Sequence, residues 1–188
     1  MKIIAVTCAR MASTRFPGKC LAILDGKPLI QHTIDFARSI GIQLYTFTRD
    51  PEIIEYVKDK TPIIYEPIEL YDTPQNSTYE KMQYVNRILD ADYVILLQPT
   101  CPVRQKSTIE NIIKIIIEKK INFAYTYDEN TPDYAYEVDA DGAFYAISKI
   151  SLLEKSALKK TRFANCYTYD IDTPENLKEC EAWLQKQK

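Results

Sequence analysis

The apolar positions of this chain fall into two rhythms that alternate from end to end. Short, nearly continuous runs of apolar and β-branched residues have the length of buried strands: Ile3-Ile4-Ala5-Val6, Gln43 to Thr48, Ile63-Ile64-Tyr65 and Tyr93 to Leu97. Phe123 to Tyr127, Ala143 to Ile147 and Tyr167 to Ile171 are predicted as three further strands. Between them the apolar residues recur at helical spacing. Ile30, Ile34 and Ala37 share one side of a helix from Pro28 to Ile40, which Gly41 ends. Ile53, Ile54 and Val57 follow the helix start Asp50-Pro51-Glu52. Met82, Val85 and Leu89 follow a capping box at Ser77 and Glu80, and a second box, Ser107 with Glu110, opens a helix to about Lys119. Thr173 to Gln185 is the closing helix, with Leu177, Cys180 and Leu184 inward.

Strands alternating with helices predict an α/β fold whose sheet is parallel or mostly parallel, with helices on both faces. Right-handed crossovers then put the strand-end loops on one rim. The loops after Val6, after Leu97 and around Asp170 are therefore expected to meet. A chain of 188 residues suits a single domain, 1–188, with a full core.

Charge narrows the partners. A net charge of −2 gives no general attraction to nucleic acid or an anionic membrane. No apolar run approaches the ~18 residues of a membrane span. The five cysteines are scattered, with no CxxC pair, and a single His leaves few zinc ligands. A reduced, cytoplasmic setting is expected.

Three loops carry the candidate chemistry. Thr7 to Lys19 has neither strand nor helix period, and holds Arg10, Arg15 and Lys19 beside Ser13 and Thr14. Fixed cations and hydroxyl or backbone donors at a strand's carboxyl end suit a polyphosphate. The loop is no P-loop, because Gly18-Lys19 is followed by Cys20 and no glycine stands five residues before. Its other reading is a solvated basic turn. The second loop, Gln98 to Arg104, is stiffened by Pro99 and Pro102. Its Gln98 amide suits a base or a sugar, or the loop merely connects. In the third, Asp170 and Asp172 stand at i, i+2, a spacing that puts both carboxylates on one side of an extended chain. Such a pair suits Mg²⁺, which takes one or two carboxylates plus phosphate oxygens. Helix capping by Asp172 or Thr173 is the competing reading, and it does not cover Asp170.

Together these stretches resemble the CMP-sugar synthetases, the cytidylyltransferases that activate sialic acids and Kdo. ARMASTRFPGK followed by LAILDGKPLIQHTI is similar to their N-terminal signature, and LLQPTCPVR to the sialic-type branch. DGAFYAIS and TYDIDTPENL resemble their C-terminal strand pair and metal motif. The resemblance implies a three-layer α/β/α Rossmann-like nucleotidyltransferase fold with a mostly parallel mixed sheet. It implies transfer of CMP from CTP to an acidic sugar, with release of pyrophosphate, for cell-surface glycan synthesis. By carry-over, Arg10, Lys19 and Asp172 are catalytic, and Ala9, Arg10, Ser13, Arg15, Lys19 and Ser77 (or its neighbour Asn76) bind the nucleotide. Asp170 and Asp172 bind Mg²⁺, and Gln98 contacts the sugar.

The chain departs from that family at four places. Cys20 follows Lys19 where the sialic-type loop has Asn. Glu66-Pro67 stands where the family reads Arg-Pro, near the expected base and ribose. Thr100 replaces a carboxylate of the Kdo branch. The segment around 128–142, which in sialic-type enzymes forms a dimer and part of the acceptor site, is shortened. A homodimer is thus one expectation among others, and Tyr134, Tyr136 and Arg162 are candidates for a reduced acceptor pocket. A relative with another nucleotide or acceptor, of the spore-coat polysaccharide type, and a non-catalytic nucleotide-binding subunit are the alternatives.

Overall fold

The structure, a computed structural model, describes residues 1–71, 78–128, 140–154, 160–165 and 169–188. In chain order the strands are β1 (Ile3–Cys8), β2 (Ile23–Leu24), β3 (Lys27–Pro28), β4 (Leu44–Thr48), β5 (Ile63–Tyr65), β6 (Tyr93–Leu96), β7 (Phe123–Asp128), β8 (Ala140–Ser148) and β9 (Lys160–Asn165). The helices are α1 (Leu29–Ser39), α2 (Pro51–Val57), α3 (Ile68–Tyr71), α4 (Thr78–Leu89), α5 (Lys106–Lys119), α6 (Lys149–Glu154) and α7 (Pro174–Gln187).

Seven strands form one sheet in the order β5-β4-β1-β6-β8-β7-β9. Strands β5, β4, β1 and β6 run parallel, and β7 runs parallel to β9. Only β8 is reversed, pairing antiparallel with both β6 and β7. The sheet is mostly parallel and mixed, as the family resemblance implies, with one strand reversed. Side chains along the central strands alternate between two cores. Ala5, Leu44 and Ile95 pack with α1, α2 and α5 on one face. Ile4, Val6, Phe47, Val94 and Leu96 pack with α4 and α6 on the other. Three layers follow from that period-two alternation.

The chain order puts a switch point between β1 and β6, neighbours whose chains leave toward opposite sides. The crevice beyond the carboxyl ends of such strands is where open α/β sheets take ligands.

A third, smaller core fixes the rim of that crevice. Leu24, Leu29, Ile171 and Cys180 are fully buried together, and Phe16, Val103, Tyr169, Leu177 and Leu184 pack against them. Phe16 belongs to the basic loop, Val103 to the loop after β6, and Ile171 lies between the two aspartates. One apolar cluster thus gathers all three candidate loops. The hairpin β2–β3 supplies Leu24 and turns through Asp25 and Gly26, both at positive φ (48° and 78°). Asp-Gly is a favoured sequence for such a two-residue turn.

The structure corrects three expectations. No strand runs through 169–171; the Ile171 amide donates to the Thr100 carbonyl at 2.8 Å instead of joining a ladder. Among the described residues the last strand is β9, which the polar sequence Lys160–Asn165 did not reveal. Ser107 caps nothing, because α5 begins one residue earlier at Lys106 with Gln105 before it. The Ser77 capping box and the shortened 128–142 segment fall largely outside the described residues.

Truncating the anchor tests this arrangement. Ile171→Ala should cost about 2–5 kcal/mol, the range for deleting a buried aliphatic side chain, read as a lower urea midpoint at unchanged slope.

Candidate active site

The crevice is a cleft of about 610 Å³, lined among others by Ala9, Arg10, Ser13, Arg15, Lys19 and Gln98. The basic loop forms one wall. Its chain is held by backbone bonds, Gly18 N–H to Met11 O at 2.9 Å and Ala9 N–H to Phe47 O at 3.1 Å. Gly18 sits at φ 72°, where a side chain would be strained and its Cβ would come within 3.3 Å of Met11 Cε. Cys20 is buried beneath the loop and donates its Sγ–H to the Arg10 carbonyl at 3.6 Å. Burial pushes its thiol pKa up. Ser13 Oγ accepts from Phe16 N–H at 3.3 Å, closing a local turn.

One tie was not visible in sequence. Asp50 stands at the N-cap of α2 but caps nothing with its side chain. Its Oδ2 accepts from Met11 N–H at 2.6 Å and its Oδ1 from the Tyr71 hydroxyl at 2.9 Å. A carboxylate that looked like a helix signal is spent on the loop next to Arg10. Tyr71 is pushed up to about 12 by burial and by that carboxylate.

The opposite wall is the loop after β6. Arg104 donates to the Gln98 carbonyl and, at 3.3 Å, to Thr33 Oγ1 on α1. That fixes the backbone and leaves the Gln98 side chain at the cleft, where its Oε1 accepts from Thr100 Oγ1 at 3.4 Å.

The two aspartates meet this site. Asp172 Oδ1 lies 2.6 Å from Lys19 Nζ, and its Oδ2 lies 2.5 Å from Arg15 Nη2. Thr173, not Asp172, caps α7: its Oγ1 accepts from Asn176 N–H at 3.3 Å, and Asn176 Oδ1 accepts from Thr173 N–H at 3.1 Å. Asp172 is thereby free of the capping role. Asp170 has no cation at salt-bridge distance among the described residues. It is open on one side but crowded on the other, where Cys101 Sγ–H points at its Oδ1 from 3.7 Å. Its carboxyl pKa is raised, first by desolvation and further by the Asp172 carboxylate, against hydrogen bonds from Thr100 and Cys101 and the charge of Lys19. The Arg10 guanidinium is exposed and pairs with no carboxylate among the described residues.

Ser77 and Tyr136, with Asn76 and Tyr134, lie outside the described residues. Arg162 is on the edge strand β9, with β8 and β7 between it and β6, so sheet spacing sets its backbone about 14 Å to the side of β6.

Fold and cleft together define an α/β nucleotidyltransferase architecture. The profile of the cytidylyltransferase family matches residues 4–144, and the chain belongs to that family. The 3-deoxy-manno-octulosonate (Kdo) cytidylyltransferase of Phocaeicola vulgatus is 26% identical over 250 aligned positions, covering 99% of this chain and 98% of that protein. The alignment is longer than the 188 residues of this chain, so the relative carries segments without counterpart here. The CMP-N,N'-diacetyllegionaminic acid synthase of Legionella pneumophila is 32% identical over 133 residues, 61% of this chain and 53% of that protein. The solved structure of CMP:2-keto-3-deoxy-manno-octonic acid synthetase complexed with CTP superposes with a TM-score of 0.82 at 19% identity, covering both chains in full. No described helix is long and apolar enough to cross a membrane.

The raised pKa of Asp170 has a testable sign. A carboxyl raised on folding penalises the folded state once it ionises, and the penalty disappears when both states are protonated. Asp170→Asn should therefore raise the melting temperature at pH 7. The gain should shrink as pH falls through the raised pKa toward the ordinary value of 3.8. Differential scanning fluorimetry across that range checks it.

Proposed function

We propose that the chain transfers CMP from CTP to an acidic sugar of the Kdo type, releasing pyrophosphate. The observation that carries this reading is that Asp172, two residues from Asp170, pairs with Arg15 and Lys19 of the basic loop that lines the cleft with Arg10. The near full-length Kdo relative supports the acceptor class, and the legionaminic acid relative makes a nonulosonic acid the second choice.

The reaction is an in-line displacement. A sugar hydroxyl oxygen attacks the α-phosphorus, the bond from phosphorus to the pyrophosphate oxygen breaks, and the hydroxyl proton passes to solvent water. Such a step needs charge neutralisation and placement more than covalent help. Arg10, exposed in the cleft, and Lys19 hold phosphate oxygens, with Ala9 and Ser13 lining the nucleotide and Gln98 turned to the sugar. Lys19 and Arg15 also pair with Asp172. Arriving phosphates compete for both cations and release the carboxylate.

The donors fit a divalent cation. Mg²⁺ is held by one or two carboxylates and otherwise by phosphates and water, and no described cluster offers three acidic, His or Cys ligands. Asp170, a crowded carboxylate short of a cation, and Asp172 would hold it. When bound, the ion supplies neutralisation of triphosphate charge.

Pyrophosphate release from CTP with Kdo, compared with UTP, ATP and GTP and with a nonulosonic acid, tests the reading. CTP with Kdo should give turnover. Pyrophosphate from another nucleotide alone, or tight CTP binding without turnover on any acceptor, would contradict it. Lys19→Ala and Asp172→Asn should each lower kcat/KM by about a hundredfold or more, with circular dichroism unchanged.

A further inference from the structure

The cleft holds a second charged pair that phosphate and metal binding leave unused. Glu66 follows β5, its N–H donating to Thr48 O at 3.0 Å. Its side chain is 1% exposed. Lys81, in the first turn of α4, reaches to 2.6 Å from Glu66 Oε1 and is 11% exposed. That oxygen accepts no hydrogen bond, so the ammonium sits close to it but off the hydrogen-bonding direction. Both residues line the cleft, with Tyr71 and Thr78.

The cleft thus has two poles. At one, Asp172 gathers Arg15 and Lys19. At the other, Glu66 and Lys81 sit over the end of β1. There Cys8 feels Lys81, Glu66 and Arg10 together, and burial pushes its thiol up to about 12. Arg10 lines the same cleft, its carbonyl accepting from Cys20 Sγ–H. A triphosphate on the first pole would lay its nucleoside toward the second.

A buried ion pair is poor value for stability, since apolar residues of similar size do as well or better. Its retention beside a ligand cleft asks for another reason. An ammonium has three donors, and Glu66 engages one face of it.

We propose that Lys81, held by the buried Glu66 carboxylate at the cleft wall, reads the pyrimidine ring of the nucleotide and favours cytosine over uracil. This rests on the cytidylyl-transfer reading above. Cytosine presents two neighbouring acceptors, the 2-carbonyl and the unprotonated ring nitrogen, and an ammonium donates to both. Uracil carries a hydrogen on that nitrogen, which faces the cation unfavourably. Adenine shares the ring nitrogen but has no 2-carbonyl beside it. Glu66 is a positioning residue: it holds and turns the ammonium, and does not itself meet the base.

The test is calorimetric binding of CTP and UTP to the wild-type chain, to Lys81→Met, and to a double variant with Glu66→Gln and Lys81→Met. The double variant leaves no unpaired buried charge, and its melting curve confirms folding. The wild type should prefer CTP. Both variants should bind CTP about ten- to a hundredfold more weakly while UTP changes less, so the preference contracts. Glu66→Gln alone should raise the CTP KM more than it lowers kcat. A wild type that binds no CTP overturns the parent reading and this one with it. A wild type that prefers CTP, beside a folded double variant that prefers it equally, overturns this one alone.

Discussion

Asp172 carries the account. Its two oxygens hold Lys19 and Arg15, which belong to a loop more than 150 positions earlier in the chain. The pairing is not what brings the segments together. Arg15 is two-thirds exposed, and an exposed ion pair contributes little against solvent screening. The apolar cluster around Ile171, Leu24 and Leu29 does the joining. With Ile171 driven inward, Asp172 beside it meets Arg15 and Lys19, which line the cleft. Burial supplies the force, and the aspartates inherit the geometry.

Most of the architecture was legible because it rests on strong periodicities. The four parallel strands are short apolar runs, and the helices between them keep one apolar stripe each. The reversal of β8 was not legible, since a strand's direction depends on the path before it and leaves no mark on its own composition. β9 escaped because Lys160–Asn165 is a polar edge strand, paired on one side only. Ser107 misled because a serine three residues before an acid suits a helix start, yet the helix already begins at Lys106. The Asp-Gly of the β2–β3 hairpin was a readable turn signal, passed over beside a longer motif.

The cleft was legible in part. The basic loop and the Asp-Ile-Asp segment stood out by charge, and the structure places them side by side. Asp50 did not stand out, because its sequence context is that of a helix cap. In the folded chain its carboxylate is turned to Met11 and Tyr71. Glu66 stood out as a charge reversal, but its partner Lys81 lies across α3 and into α4. Spacing alone could not pair them. The site therefore joins cues that sequence carries, namely charges in loops, with ties that only folding reveals.

Diffraction from crystals grown with CTP and Mn²⁺, collected at the manganese absorption edge, addresses the central claim most directly. The account expects one triphosphate in the cleft, contacted by Arg10 and Lys19, with the anomalous peak against Asp170 and Asp172. A nucleotide bound away from both segments, or an ion distant from the aspartates, would contradict it.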